Sequence, residues 1–591
     1  MQVVGETTQQ QVWIATEERK IRINEIIIIE DKDLGNLRGE VVETMSYNPF
    51  IPLNLNGSLM ESNVVESLSK LGYDIGGSEI NIAKVSLFTE APYPVSTGCK
   101  ARVPEFEEVK DLILFGSKEE GLVLGEIKST QGMYESLPES LKDIAKVLEG
   151  KELSQNGVPF IFPVKEMHQY PHMGIFGGSG SGKSYGIRVL LEEVMRQQVP
   201  MLIFDPHYEM EFKGEAMFES RYSVVTLGED VGVEFSSLTT RDLINLLGAS
   251  HTLTESMVNA VEVLHKRNDS LLSFTKRIED LLTALELGKG SLEKIDFNAD
   301  NDPKKTQRLK SLLDQYGSVP LASVKGIQWR LKRLEYAGLF VQNTDKIELA
   351  ILSRKSAVIQ GPVWLLGVFA TYVIGHFYHQ RRQYKDGSKD EFYPPFIIVT
   401  DEAHNFAPKG YESPSKSVIK EIAQEGRKYG VFLLLATQRP TLLDETVTAQ
   451  LNTKLIFRTV RGTDIATLRE ETDLTERECK RLPYLKSGDV FLSSAIFGRT
   501  IAARIRVALT ESPFSQNPFD ELESVSLNKT EDIFKSIIPF LPITSADFAD
   551  VLKKLEDINS IEELSQKLSD LSAEGYIYEE KTPFGKLYKE K

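Results

Sequence analysis

The stretch Gly177-Gly178-Ser179-Gly180-Ser181-Gly182-Lys183-Ser184 decides how this chain of 591 residues is read. It is entered from the short apolar run His172-Met173-Gly174-Ile175-Phe176 and left through a helical segment, Tyr185 to Gln197. Polyphosphate binding needs several backbone N–H groups converging on anionic oxygens. Glycine permits this because it adopts φ > 0 and lets the backbone come close. The segment fits G-x-x-x-x-G-K-S with extra glycines at Gly178 and Gly180. In that reading the backbone of Gly177 to Ser184, with Tyr185 at the helix start, cradles the phosphates of ATP. Lys183 pairs with the β/γ-phosphates, Ser184 ligates Mg2+, and the positive end of the helix faces the nucleotide.

The other half of such a site is a buried strand ending in carboxylates, and Phe396-Ile397-Ile398-Val399-Thr400-Asp401-Glu402 supplies one. Asp401 is expected to hold the magnesium and Glu402 to orient and polarise the attacking water. Val431 to Leu435 leads into Ala436-Thr437-Gln438-Arg439-Pro440, which places the polar Gln438 where it could sense the γ-phosphate. Asp205-Pro206-His207-Tyr208-Glu209 ends the strand that follows the P-loop helix, so Asp205 and Glu209 join the candidate nucleotide contacts. An ordinary strand-end loop is the competing reading of these last two segments.

Working outward, continuous apolar runs without alternation signify strands covered on both faces, as in parallel sheets. Met201 to Phe204, Ala357 to Gln360, Phe396 to Val399, Val431 to Leu435 and Lys454 to Phe457 form that series. The fold class expected is α/β, a P-loop core over 151–514 with a helical insertion at about 241–345. The insertion accounts for the long interval between the two halves of the site. Residues 1–150 read as a small β-barrel or sandwich with a linker, since Gln11 to Ile14, Ile21 to Glu30, Glu40 to Thr44 and Asn81 to Phe88 are Val- and Ile-rich runs between turns. Leu137 to Leu148 reads as a helix-like stretch within that linker. Residues 515–591 read as an acidic helical extension. Their order of two helices (Ser545 to Leu555, Ser560 to Ser572) and a hairpin resembles a winged-helix module, against the plainer reading of a helical tail.

The net charge of −17 is unevenly placed. Residues 1–150 hold 14 basic and 25 acidic side chains and 515–591 hold 9 and 16, which leaves 46 and 45 for the middle. The middle is thus near neutrality and could face a polyanion. Two distant cysteines, Cys99 and Cys479, support neither a disulfide framework nor a zinc site, and a reducing cytoplasm fits best. The N-terminus lacks the basic and apolar regions of a secretory signal. Ala357 to Tyr378 is apolar but broken by Gln360 and Pro362, and reads as strand, turn and buried helix rather than a membrane span.

Together, Gly177 to Ser184, Asp205-Pro206-His207, Asp401-Glu402-Ala403-His404-Asn405-Phe406-Ala407-Pro408, Glu425-Gly426-Arg427-Lys428-Tyr429-Gly430 and Ala436 to Pro440, in this order, resemble the HerA branch of the HerA/FtsK superfamily. The N-terminal β-rich segment looks like that family's small barrel domain, so the resemblance spans about residues 1–510. It implies a RecA-like core in a ring of six that hydrolyses ATP at subunit interfaces and threads duplex DNA through a central channel. It also implies a partner nuclease or other effector, in DNA-end processing or antiphage defence. Arg427 stands where the family places the arginine that a neighbouring subunit supplies, with Arg458 and Arg461 as alternatives. A planar guanidinium suits charge spreading over γ-phosphoryl oxygens. Lys409, Lys416 and Lys420 could line the channel. One departure is Tyr208, where the family usually has glycine, which puts the geometry around Asp205 and Glu209 in question. A conjugation- or secretion-type ATPase, and a ring scaffold that uses ATP as a conformational ligand, are the competing functions.

Overall fold

Six short strands begin the chain and close on themselves: β1 (Gln2–Val4), β2 (Gln11–Thr16), β3 (Ile26–Asp31), β4 (Gly35–Tyr47), β5 (Ile80–Leu87) and β6 (Lys100–Arg102), in the order β1-β2-β5-β4-β3-β6. In this computed structural model residues 1–48, 66–67, 70–72, 79–150, 152–295, 303–411, 414–513, 519, 533–555, 560–583 and 585–590 are described. The alternation in β2 buries Val12, Ile14 and Thr16 and leaves the residues between them partly exposed. The run Ile26 to Ile29 is apolar throughout for a different reason. Ile27 and Ile29 fill the barrel, whereas Ile26 joins the core beneath it.

The remainder of the first compact unit, Met1–Ser512, is organised by one sheet. Its strands are β7 (Leu122–Ile127), β10 (Pro159–Phe162), β11 (Met173–Phe176), β12 (Met201–Asp205), β13 (Tyr222–Thr226), β14 (Ser356–Gln360), β15 (Phe396–Thr400), β16 (Val431–Thr437), β17 (Thr453–Ile456), β18 (Asp489–Ser494) and β19 (Ile501–Ile505). A separate hairpin, β8 (Val147–Glu149) with β9 (Glu152–Ser154), lies between β7 and β10 in sequence. The order across the eleven strands is β10-β7-β19-β18-β17-β11-β16-β15-β12-β14-β13. From β17 to β13 the neighbours are parallel. Both faces are covered, and the strands show it residue by residue. Leu202 and Phe204 of β12, and Phe396 and Ile398 of β15, enter one apolar cluster, while Met201, Ile203, Ile397 and Val399 enter the other. Strand β16 runs between the P-loop strand β11 and the carboxylate strand β15, the arrangement of a RecA-like core.

The division expected at residue 150 does not follow the sheet. All six residues of β7 are buried, and β7 pairs with β10 and β19 at the antiparallel end of the core sheet. The core therefore takes part of the stretch assigned from composition to the barrel domain. Nor is Leu137 to Leu148 a helix. It holds a short 3-10 turn at Glu139–Leu141 and the strand β8. The Gln155 side chain accepts from the backbone N–H of Ile144 and Ala145 and donates to Leu141 O, so it takes groups a helix would pair internally.

The helical insertion is present, with helices Thr240–Ser250, Glu255–Leu264, Leu271–Ile295, Pro303–Tyr316, Leu321–Tyr336 and Asp345–Leu352. The apolar stretch after β14 forms the helix Val363–Lys385, and among the described residues no helix is long and apolar enough to cross a membrane.

The second unit, Pro513–Lys591, is not purely helical. Strand β20 (Ile543–Thr544) precedes helices Phe548–Leu552 and Ile561–Ala573 and the hairpin β21 (Ile577–Thr582) with β22 (Gly585–Glu590), in a sheet ordered β20-β22-β21. In chain order the unit is thus a strand, two helices and a hairpin.

Candidate active site

The C-terminal ends of β11, β15 and β16 bring three of the expected segments together. Strand β11 leads into the glycine loop, whose path is set by two left-handed residues, Gly180 (φ 67°) and Gly182 (φ 91°). At Gly182 a side chain has no room either, since a Cβ there would stand 2.6 Å from Gly488 N. Gly488 N donates to Ser181 O at 3.1 Å, and Gly178 N donates to Arg458 O at 2.9 Å. The loop is thereby held from β17 and from the turn before β18. Helix Lys183–Arg196 starts at once. Its first N–H groups and the buried Ser181 hydroxyl, which has no hydrogen-bond partner among the described residues, are unmet polar groups of the kind an anion satisfies.

Lys183 is 4% exposed and its Nζ lies 2.5 Å from Asp401 Oδ1, itself on a side chain 8% exposed. The same Oδ1 accepts from Glu402 N at 2.9 Å. Glu402 has φ 50°, a left-handed turn that directs it off the line of β15. Its Oε2 accepts from Gln438 N at 3.4 Å and lies 3.4 Å from His404 Nδ1. His404 Nδ1 is also 2.9 Å from Thr437 Oγ1, and burial pushes this imidazole below its ordinary pKa. Thus Lys183, Asp401, Glu402 and Gln438 form one connected group, and His404 joins it without having been singled out by sequence. An acidic pair followed two positions later by histidine was the available signal.

Asp205, at the end of β12, is buried and fully engaged with its own surroundings. Its carboxylate accepts from Glu209 N at 3.1 Å, Met210 N at 3.0 Å and Gln360 Nε2 at 3.0 Å. Tyr208 has φ 59°, the left-handed region that favours glycine. The turn thus takes a left-handed residue at the tyrosine, at a backbone cost of about 1 kcal/mol. Glu209 is anchored through its carbonyl, which accepts from the buried Arg188. Arg188 further donates to Glu211 O and Glu511 O and lies over the Phe212 ring at 5.1 Å. In this structure Asp205 and Glu209 shape the loop.

Arg427 is exposed, in the last turn of helix Pro414–Tyr429, and donates to Gln169 O at 3.4 Å. Gln169 precedes β11 and the P-loop follows it, so Arg427 stands at the opposite end of that strand from its own P-loop, separated by its four residues, or about 13 Å at roughly 3.3 Å per residue. Arg458, by contrast, sits against its own P-loop, and its Nη2 is 3.8 Å from where a Cβ on Gly180 would be. Tyr185 is 41% exposed, and its hydroxyl accepts from Ala508 N at 2.5 Å. The three lysines suggested for a channel are committed elsewhere. Lys416 is 3% exposed and pairs with Asp444 at 3.0 Å, Lys420 pairs with the same carboxylate at 3.2 Å, and Lys409 pairs with Glu445 at 2.6 Å. A buried lysine cannot line a channel, so Lys416 is excluded from that role.

For a divalent cation the relevant donors are the exposed Ser184 hydroxyl and the Asp401 carboxylate. These are hard oxygens of the type magnesium takes, one or two from protein with phosphate and water completing the set, so the residues fit.

The model of the family described as helicase HerA, central domain, matches residues 149–359. The DNA double-strand break repair helicase HerA of Saccharolobus solfataricus is 22% identical over 565 residues, 91% of this chain and 98% of that protein. The protein of the same name from Pyrococcus furiosus is 25% identical over 327 residues, 50% of this chain and 57% of that one. Among solved structures, the bacterial conjugative coupling protein TrwB covers 68% of this chain at 13% identity and a TM-score of 0.40, a distance across which no functional conclusion passes.

Proposed function

Because the chain belongs to the HerA family and is an ATPase, we propose that it is a motor that uses ATP to translocate duplex DNA through a ring of six copies. The observation that carries the reading is the placement of β16 between β11 and β15. It sets Gln438 beside both the phosphate loop and Glu402, so one strand end can register the γ-phosphate and the hydrolytic carboxylate together.

In this proposal Lys183 leaves Asp401 for the β/γ-phosphates when ATP enters, since the phosphates carry more negative charge than one carboxylate. Ser184 and Asp401 would hold Mg2+, which supplies charge neutralisation when bound. Glu402 orients the attacking water, and its bond to Gln438 N fixes the carboxylate against β16. Arg427, too far from its own P-loop, is supplied to the site of the neighbouring copy, where it stabilises charge on the γ-phosphoryl oxygens. The ring acts with a partner nuclease or other effector, in DNA-end processing or defence against phage. A core whose net charge is near zero between two acidic flanks suits passage of a polyanion.

The test is ATP hydrolysis by the assembled ring with and without duplex DNA. Stimulation by DNA is expected. Lys183→Ala and Glu402→Ala should both abolish turnover, but only Glu402→Ala should still bind ATP. No hydrolysis by a ring shown to be assembled, alone and with its partner, would replace the motor with a scaffold.

A further inference from the structure

We propose that Arg458 contacts the polyphosphate of the nucleotide held by its own subunit, acting in cis from the end of β17. The inference rests on the P-loop reading of Gly177 to Ser184 but not on the ring.

Two independent features of residue 458 meet the loop. Its carbonyl accepts from Gly178 N at 2.9 Å, which ties its backbone to the second glycine. Its guanidinium reaches the fourth residue, with Nη2 3.8 Å from the position of a Cβ on Gly180. Gly180 is left-handed at φ 67° and carries no side chain to screen the arginine from the loop. The preceding Phe457 fixes the approach. Phe457 N donates to Phe176 O at 2.8 Å, and its ring packs so closely on the P-loop helix that a Cβ on Gly186 would stand 2.3 Å from it. The direction in which Arg458 leaves the strand is therefore set by packing.

The electrostatics of the site ask for such a cation. The buried lysine of the loop, Lys183, is neutralised by Asp401 before nucleotide arrives. Arg458 is half-buried and forms no ion pair with any described carboxylate, so its charge is available to phosphate without a partner having to be displaced. A guanidinium presents planar paired donors suited to phosphate oxygens. Its reach along the loop on the side of Gly180 differs from that of Lys183, which enters from the helix.

The experiment compares Arg458→Ala and Arg458→Lys in the full chain with fluorescent ATP and with duplex DNA. The main-chain bond to Gly178 survives either substitution. Arg458→Ala should weaken ATP binding about tenfold to hundredfold, the equivalent of one charge-assisted hydrogen bond, with Arg458→Lys between it and the parent. DNA affinity without nucleotide should not change. Mixing Arg458→Ala subunits with Glu402→Ala subunits should give no hydrolysis beyond the sum of the two alone, because the intact Arg458 of one subunit and the intact Glu402 of the other then serve different sites. Recovery on mixing, unchanged ATP affinity, or loss of DNA affinity alone would each overturn the proposal. If the motor reading fails, so that the parent does not hydrolyse ATP, the loss of ATP affinity in Arg458→Ala still stands as the measure of this one.

Discussion

Asp401→Asn should loosen the empty P-loop and make it depend on nucleotide for its order. The side chains of Lys183 and Asp401 are 4% and 8% exposed, with 2.5 Å between the charges. Removing one partner of a buried ion pair leaves the other charge uncompensated, at a cost of about 3 to 5 kcal/mol. Asparagine retains an oxygen that can accept from Lys183 Nζ, which sets the expectation at the lower end, about 3 kcal/mol. At 1.4 kcal/mol per factor of ten, amide exchange of the P-loop helix Lys183–Arg196 in the nucleotide-free protein should speed up roughly a hundredfold. ATP, whose phosphates supply the missing negative charge, should slow it again by more in the variant than in the parent. Lys183→Ala should show the converse, a loosened end of β15 that ATP does not rescue. The double variant should sit nearer the parent than either single one, because neither charge is then stranded. Equal exchange in the parent and Asp401→Asn, with double-variant effects that simply add, would refute the reasoning.

Subunit mixing tests where Arg427 acts. In a ring built from one repeated interface, equal amounts of Arg427→Ala and Glu402→Ala subunits, each inactive alone, give about one quarter of interfaces with both groups intact. Hydrolysis should recover toward that fraction, and no recovery would place Arg427 outside the neighbour's site. A separate expectation concerns pH. Burial pushes the His172 imidazole down to about 4 from its ordinary 6.5, in keeping with a ring that accepts from Leu433 N and donates to Ala423 O. The unfolded chain binds the proton first, so stability rises with pH across this window and falls as pH drops from 6.5 toward 4, by about 3 kcal/mol in all. His172→Gln should flatten the acid limb of the thermal unfolding curve, and an unchanged limb would mean that other groups set it.

What could be read from the sequence is what local chemistry writes into adjacent residues. A glycine loop between a strand and a helix, and two carboxylates at the end of an apolar strand, are short-range statements, and the structure brings them to one place. Lys416 shows the limit. Its sequence neighbourhood is polar and suggests a solvated or channel-facing lysine, while its actual partner, Asp444, lies 28 positions away and is met only through the fold. Strand β7 failed in the same way. Leu122 to Ile127 lacks alternation, the mark of a two-sided strand, but composition drew the boundary behind it, and only pairing with β19 from the far end of the unit reveals its membership. Tyr208 is the reverse case. The tyrosine put the geometry of the turn in question, and the backbone takes the left-handed conformation that favours glycine and bears the cost, with Asp205 tying two successive N–H groups of the turn.

The arginines give these geometric facts a direction. Arg427 was the preferred candidate and Arg458 an alternative for one role, yet β11 separates them, Arg427 beside the segment before it and Arg458 beside the loop after it. Helix Pro414–Tyr429 spans that gap, 16 residues or about 24 Å long. At its start Ser415 Oγ donates to Phe406 O at 3.0 Å, on the turn that continues from Asp401 and Glu402, and Lys416 is locked to Asp444. At its end Tyr429 O accepts from Arg381 at 2.6 Å, two residues beyond Arg427. A helix fastened at both ends moves as a body. In the proposed ring, any shift of the carboxylate turn as Lys183 leaves Asp401 is therefore carried along this helix to the arginine that serves the next copy's nucleotide.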